Sequence, residues 1–376
     1  MKPRKGKKKK ARTTSPPAAP PQDQINLLLT YYQAGSLPEA KALATSLTQH
    51  FPKHPFGWKV MGAVLTQTGR LGESLAPMQL AVELSPQDAE AHNNLGNMLK
   101  ELGKLDDAEA SYRQAIALKP DYAEAHTNLG NCLRDLGEFA KAEASYKRAV
   151  KLAPELPELH SNLLMLLGSM RFSADQYLVH AHKFADLAAK KVGAAFTQWQ
   201  TKATPDRLRI GFVSGDFRSH PVGYFCEGLL AELRGSSLVL LGYTTYEARN
   251  DQVGTLIARS FDHWYPIANL DDEQAAKKMH QDRLDILIDL SGHTNKSRLP
   301  IFAWRPAPVQ ATWLGYFAST GLPEMDFVIG DAFVTPPEEE LHFVERVWRL
   351  PDSYLCFTPP HFDIEVGSLP AYSNEF

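Results

Sequence analysis

Cysteine is scarce in this chain: Cys132, Cys226 and Cys356 are the only three among 376 residues, odd in number and widely separated. That excludes a disulfide-stapled scaffold and the usual zinc-ligand spacings, and it points to a reducing compartment, with the cytoplasm as the expected location. No apolar run approaches the ~18 residues that a membrane helix needs, so no membrane partner is expected. No apolar core follows the basic start Met1–Arg12, so no secretory leader is expected either. Neither charge dominates, with 40 Lys and Arg against 43 Asp and Glu. The balance hides an asymmetry, because Met1–Arg12 carries eight of the basic residues and leaves the remainder at a net −11. Residues 1–22, Lys-rich and then rich in Thr, Ser, Pro and Ala, read as a disordered tail. Nothing in the acidic body resembles a nucleic-acid reader, so nucleic acid is a partner only through that tail, which is otherwise plain solvated chain.

What the sequence has is a period. Pro52, Pro86, Pro120 and Pro154 are each 34 residues apart, and Gly35, Gly69, Gly103 and Gly137 keep the same step. A 34-residue helix–turn–helix period is that of the tetratricopeptide (TPR) repeat. In one unit His92, Leu95, Gly96 and Leu99 share a helix face, Gly103 ends the helix, and Ala108, Tyr112 and Ala115 return to the seam before Pro120 stops the second helix. Trp58 to Pro86 and His126 to Pro154 repeat the scheme, with a weaker unit ending at Pro52 and a partial one opening at His160. An α superhelix is therefore expected over residues 23–195. Asn94, Asn128 and Asn162 recur at the same interval beside the apolar stripe, with His92, His126 and His160 next to them. The histidines read as repeat packing, not as metal ligands.

From Leu208 the period vanishes and short apolar runs take over. Leu208–Val213, Leu238–Thr245, Asp262–Ile267, Asp285–Leu290, Val309–Trp313, Phe327–Ile329 and Arg346–Leu350 read as strands. Helix-length segments such as Phe225–Arg234 and Asp271–Asp282 lie between several of them. Strand–helix alternation predicts a parallel, doubly wound, Rossmann-like lobe over residues 205–376. Ligands bind such sheets beyond the carboxyl ends of the strands. Two polar turns stand there, Ser214–Pro221 and Ser291–Thr294.

The segments Leu208–Pro221, Asp285–Thr294, Arg305–Gln310 (RPAPVQ) and Thr312–Gly321 (TWLGYFASTG) resemble the first half of the catalytic region of the TPR-containing protein O-linked N-acetylglucosamine transferases. They are equally similar to the Spindly-type O-fucosyltransferases. The resemblance implies the N-terminal half of a GT-B glycosyltransferase. Such enzymes move a sugar from a nucleotide sugar, UDP-GlcNAc or GDP-fucose, to Ser or Thr of acceptor proteins held by the repeats. It implies no cofactor and no metal, and the sequence has no Asp-x-Asp pair. The family's second, diphosphate-holding lobe would follow residue 376, so this chain is expected to be truncated and inactive alone. A non-catalytic TPR scaffold is the alternative.

The resemblance also nominates residues. His220 matches the family's active-site histidine, although the same ring could simply cap the helix before Pro221. Asp285 stands where animal members carry a second histidine, with a strand-start carboxylate as its plain reading. His293 and Thr294 fall on a substrate-side turn that could equally be stabilised by the imidazole. Leu314, Gly315, Tyr316, Ser319 and Thr320 match the loop lying along the sugar, with Phe317 and Ala318 replacing the family's common Pro-Gly. Asn94, Asn128 and Asn162 match an asparagine ladder that binds acceptor backbone, which suits an amide that both donates and accepts. Arg298 and Arg305 are set aside as solvated.

Overall fold

The computed structural model describes residues 19–170, 173–201, 206–246 and 251–357. By its contacts the chain divides into two compact units, Met1–Pro154 and Glu155–Phe376. The tail expected over residues 1–22 lies outside the described residues except for its last four, and Gln22 already opens the first helix.

The first unit is four helical hairpins: α1 (Gln22–Gln33) with α2 (Leu37–His50), α3 (Pro55–Gln67) with α4 (Leu71–Leu84), α5 (Ala89–Glu101) with α6 (Leu105–Leu118), and α7 (Ala123–Asp135) with α8 (Phe139–Leu152). Each hairpin packs on itself and on the next. The periodic residues explain why. Gly103 adopts φ 72° after α5, and the turn closes with Lys104 N donating to Leu99 O at 2.9 Å, a left-handed stop that a side chain would strain. Gly96 is the point of closest approach: a Cβ built there would lie 2.6 Å from Tyr112 Cε1. Tyr112 is fully buried in the groove so formed, and its hydroxyl donates to Asn97 Oδ1 at 2.8 Å. Tyr146 repeats the bond to Asn131 Oδ1 at 2.7 Å. The histidines are tethers: His92 Nε2 donates to Pro86 O and His126 Nε2 to Pro120 O, both at 3.1 Å, as Trp58 Nε1 does to Pro52 O at 2.9 Å. A ring N–H at this position therefore satisfies the carbonyl of the preceding proline, whichever ring supplies it.

The second unit begins with α9 (Pro157–Gly168) and α10 (Ala174–Ala189), so these two helices, expected at the end of the repeats, belong to the compact body of the α/β lobe. Then follow β1 (Leu208–Ser214), α11 (Pro221–Leu233), β2 (Leu238–Thr244), α12 (Gln252–Ser260), β3 (His263–Pro266), α13 (Asp272–Gln281), β4 (Ile286–Asp289), β5 (Val309–Trp313), β6 (Phe327–Asp331) and β7 (Arg346–Leu350). All seven expected strands are present, in one parallel sheet of order β3-β2-β1-β4-β5-β6-β7. Helix α11 starts four residues earlier than expected, because Pro221 occupies its first turn, where a missing N–H costs nothing. Phe212, Val222, Cys226, Leu230, Leu240 and Ile257 form the core beneath α11 and α12. The chain winds outward from β1 to β3 and then crosses back to pair β4 with β1, Val213 opposite Asp289. The topology therefore reverses between β1 and β4, and the loops leaving their carboxyl ends lie side by side there.

Candidate functional site

The loop after β1 carries a charged cluster. Asp216, only 4% exposed, takes its backbone N–H bond to Ser214 Oγ and pairs through Oδ1 with Arg218 at 2.8 Å. Arg218 also faces the ring of Tyr246 at 5.9 Å, and Lys296, from the loop after β4, sits over the same ring at 3.3 Å. Asp251, the cap of α12, holds the loop by accepting from Ser219 N at 2.9 Å and Gly254 N at 2.7 Å. Burial, with Arg218 nearby, lowers the Lys296 pKa, while Asp216 pushes it back up.

His220 stands at the end of this loop as the cap of α11, its Nδ1 accepting from Val222 N at 3.3 Å. Its side chain is 34% exposed and Nδ1 lies 3.8 Å from Asp216 Oδ2. Burial lowers its pKa; Asp216 raises it, and the cations Arg218 and Lys296 lower it further. The ring is therefore neutral near pH 7. With Nδ1 accepting, the ring proton sits on Nε2, and in that tautomer Nε2 is a donor. Taking a proton at Nε2 requires the other tautomer, in which Nδ1–H turns to the Asp216 carboxylate. Capping and chemistry are thus two states of one ring.

The loop after β4 is more buried than its sequence suggests. His293 is 2% exposed, with Nε2 donating to Thr320 O at 3.0 Å and Nδ1 accepting from Ser161 Oγ at 2.8 Å. Phe184 and Tyr316 meet the ring edge-on at 4.6 and 5.4 Å. Burial depresses its pKa to about 4, so the imidazole is a neutral strut with both nitrogens committed. Thr294 Oγ1 donates back to Ser291 O at 2.7 Å. Thr294, Lys296, Ser161 and Asn162 line a cavity of about 300 Å³ beside His293.

Asp289 is the feature that sequence reasoning passed over. It is fully buried, with Oδ2 accepting from Gly292 N at 2.6 Å and Thr312 Oγ1 at 3.1 Å, while among the described residues Oδ1 and the neighbouring Ser291 Oγ find no hydrogen-bond partner. Burial raises its pKa to about 6 against those bonds. Asp285, by contrast, is not brought to this crevice, a correction to the sequence expectation. It precedes β4 at the amino edge of the sheet, where Oδ2 accepts from Arg209 N at 2.8 Å beside a separate cavity of about 370 Å³. Four residues of strand, roughly 13 Å, separate the two ends. The strand-start reading describes Asp285.

The loop after β5 is built by tight turns. Leu314 has φ 73° at the centre of a turn closed by Gly315 N donating to Trp313 O at 2.9 Å, a strained form costing about 1–3 kcal/mol. Gly315 is obligatory, because a Cβ there would stand 1.9 Å from Leu290 O. The Tyr316 and Tyr177 hydroxyls lie 2.8 Å apart in the interior, with Leu164 O 2.9 Å from the first and Ser319 O 2.6 Å from the second, so two phenol protons serve three contacts. Burial raises both phenol pKa values. Ser319 and Thr320 point at Glu345, which accepts from Ser319 Oγ and Thr320 N at 2.7 Å each and from Thr320 Oγ1. Glu345 is 4% exposed and burial raises its pKa. Tyr316, Ser319 and Thr320 thus have partners within the fold, and Phe317, 51% exposed, is the loop's outward side chain. Arg298 and Arg305 are not solvated either: Arg298 binds Asp272 at 2.7 Å, and Arg305 binds Asp326 and Glu324 O at 2.8 Å, so Arg305 of RPAPVQ is a staple.

The asparagines divide between the units. Asn162 lies on α9 at the cavity near Thr294. Asn94 and Asn128 are half-buried on α5 and α7, and Asn128 Nδ2 donates to Asn93 Oδ1 at 3.0 Å. Among the described residues Asn94 makes no side-chain hydrogen bond.

Comparison with known proteins agrees with this architecture. The glycosyl transferase family 41 model matches residues 152–361, and a tetratricopeptide repeat model matches residues 93–157. The chain is 34% identical over 217 residues to a tomato (Solanum lycopersicum) protein named probable UDP-N-acetylglucosamine–peptide N-acetylglucosaminyltransferase SPINDLY, covering 57% of this chain and 23% of that one. An Arabidopsis thaliana protein of the same enzyme name, SEC, is 30% identical over 148 residues, 39% of this chain and 15% of its own length. The solved structure of a point mutant of the Thermobaculum terrenum O-GlcNAc transferase superposes with a TM-score of 0.74 at 31% identity, covering 82% of this chain and 59% of that one. The chain thus spans under a quarter of the length of these curated relatives.

Proposed function

The chain belongs to glycosyl transferase family 41, and on that premise we propose that it serves protein O-glycosylation, moving N-acetylglucosamine from UDP-GlcNAc to Ser or Thr of acceptor proteins. The repeats bind the acceptor, and the Rossmann-like lobe is the N-terminal half of a GT-B catalytic region. The observation that carries this reading is the place of His220: partly exposed, neutral, and beside Arg218 and Lys296 where the topology reverses. In the transfer the acceptor oxygen bonds to the anomeric carbon, the bond from that carbon to the diphosphate breaks, and the hydroxyl proton must leave. We assign that proton to His220 Nε2, in the tautomer whose Nδ1–H turns to Asp216, 3.8 Å away. The reaction is read as needing no metal. GDP-fucose is the second donor to test, because the sequence motifs resemble the Spindly-type O-fucosyltransferases equally.

Incubating the chain, joined to the second half of a GT-B catalytic region, with protein acceptors and radiolabelled UDP-GlcNAc or GDP-fucose tests this. Transfer to protein that falls by about 10²-fold in His220→Ala, at unchanged donor affinity, is the expected result. Transfer from GDP-fucose alone would replace the donor. Full turnover in His220→Ala would remove His220 from the mechanism, and no transfer from either donor by folded protein would refute the enzymatic reading of this chain.

A further inference from the structure

Asn128 is held by a chain of side chains that starts at a carboxylate. Glu124 Oε1 accepts from Asn93 Nδ2 at 3.0 Å, and Asn93 Oδ1 accepts from Asn128 Nδ2 at 3.0 Å. An ionised carboxylate only accepts, so Asn93 must turn its nitrogen to Glu124 and its oxygen to Asn128. That oxygen also only accepts, so Asn128 must turn its nitrogen to Asn93 and its oxygen away. Asn93 is fully buried, which gives it no water to bond instead. Among the described residues one Nδ2 proton and the Oδ1 of Asn128 stay uncommitted, the two groups that a bidentate contact with a peptide unit needs. One repeat earlier the register is the same but the chemistry differs: Lys59 Nζ donates to Glu90 Oε2 at 2.9 Å. Lys59 also donates to Asp88 Oδ2 at 3.2 Å, and among the described residues no hydrogen bond joins it to Asn94.

We propose that Asn93, anchored by Glu124, is a positioning residue that fixes the Asn128 amide for contact with acceptor backbone. The α7 repeat then offers a preset contact and the α5 repeat an adjustable one. This rests on the acceptor-binding role proposed for the repeats. A preset amide loses less rotational freedom on binding, so Asn128 should count for more than Asn94.

Asn93→Thr is the informative variant, because Thr127 already occupies the same position in the next repeat. Affinity is read by fluorescence anisotropy with an end-blocked, fluorescein-labelled peptide of repeated Thr-Ser-Val units. Asn128→Ala should weaken binding about tenfold, Asn93→Thr about threefold, and the two together no more than Asn128→Ala alone. A threefold loss from Asn93→Thr that persists in the Asn128→Ala background, or no loss at all beside a clear Asn128 effect, overturns the positioning role alone. No loss from Asn128→Ala overturns it together with the binding role it rests on. A second measurement needs no peptide. In protein labelled at asparagine nitrogen, one Asn128 side-chain proton should exchange about tenfold more slowly than those of Asn94, and Asn93→Thr should abolish the difference. Equal exchange at Asn94 and Asn128 in the unsubstituted protein overturns the proposal.

Discussion

Two buried groups beside the crevice titrate with opposite signs, and their opposition can be measured. Asp289 is raised from 3.8 to about 6 and His293 is depressed from 6.5 to about 4, both by burial. A raised carboxylate pKa means that the fold prefers the proton more than the unfolded chain does. The Asp289 contribution is therefore fully present below pH 3.8 and is lost as pH rises through about 6. A depressed imidazole pKa works the other way: its contribution is present above pH 6.5 and is lost as pH falls through about 4. At ~1.36 kcal/mol per unit, each shift is worth about 3 kcal/mol across the window, so the two nearly cancel in the unsubstituted protein. Single variants should expose each slope. Asp289→Asn keeps an acceptor for Gly292 N and Thr312 Oγ1, and its stability relative to the parent should rise by roughly 3 kcal/mol from pH 4 to pH 7. His293→Gln keeps a donor for Thr320 O and should show the reverse trend over the same range, on top of a constant packing loss against Phe184. Urea denaturation followed by tryptophan fluorescence is the assay, because five of the six tryptophans lie beyond Pro154. Taking the difference from the parent at each pH removes the many surface carboxylates common to both. A flat difference for Asp289→Asn would show that Asp289 is not desolvated, and the reasoning would fail.

Glu345→Ala should cost about 2–4 kcal/mol in the same assay, because it leaves the donors of Ser319 and Thr320 buried without an acceptor; a loss under about 1 kcal/mol would mean that water replaces the carboxylate. Asp285→Ala should cost only about 1 kcal/mol, the bond to Arg209 N, and should leave sugar transfer unchanged. A large fall in transfer with intact stability would return Asp285 to the site.

Much of the fold was legible because its signals are periodic. The 34-residue step places every TPR hairpin of the first unit, and glycines at φ 71–78° end the first helix of each, where the step puts them. All seven strands could be read from short apolar runs, since a parallel strand covered on both faces has no polar alternation to dilute it. The grouping of α9 and α10 with the lobe could not be read. From the sequence a partial repeat opens at His160, whereas Ser161 and Tyr177 bond to His293 and Tyr316 across 132 and 139 positions. The hubs Glu345 and Asn93 were illegible for the same reason: each is a single polar residue whose burial is decided by distant elements.

The two aspartates that bracket the apolar run of the fourth strand show where residue-level reading went astray. Asp285 and Asp289 bracket one short apolar run, and the sequence marks neither as special. Family resemblance singled out Asp285, by position against a histidine. Yet the rule that ligands bind beyond the carboxyl ends of parallel strands had already been applied to the turns Ser214–Pro221 and Ser291–Thr294. Applied to the strand itself, it favours Asp289 over Asp285, because the strand runs from one edge of the sheet to the other. The structure adds what the rule cannot supply, namely burial. At Asp285 the carboxylate meets a backbone N–H at the sheet's amino edge. At Asp289 burial is complete, one oxygen finds no partner among the described residues, and the pKa climbs to about 6. Strand direction chooses the end, and desolvation then gives the residue at that end an unusual proton affinity.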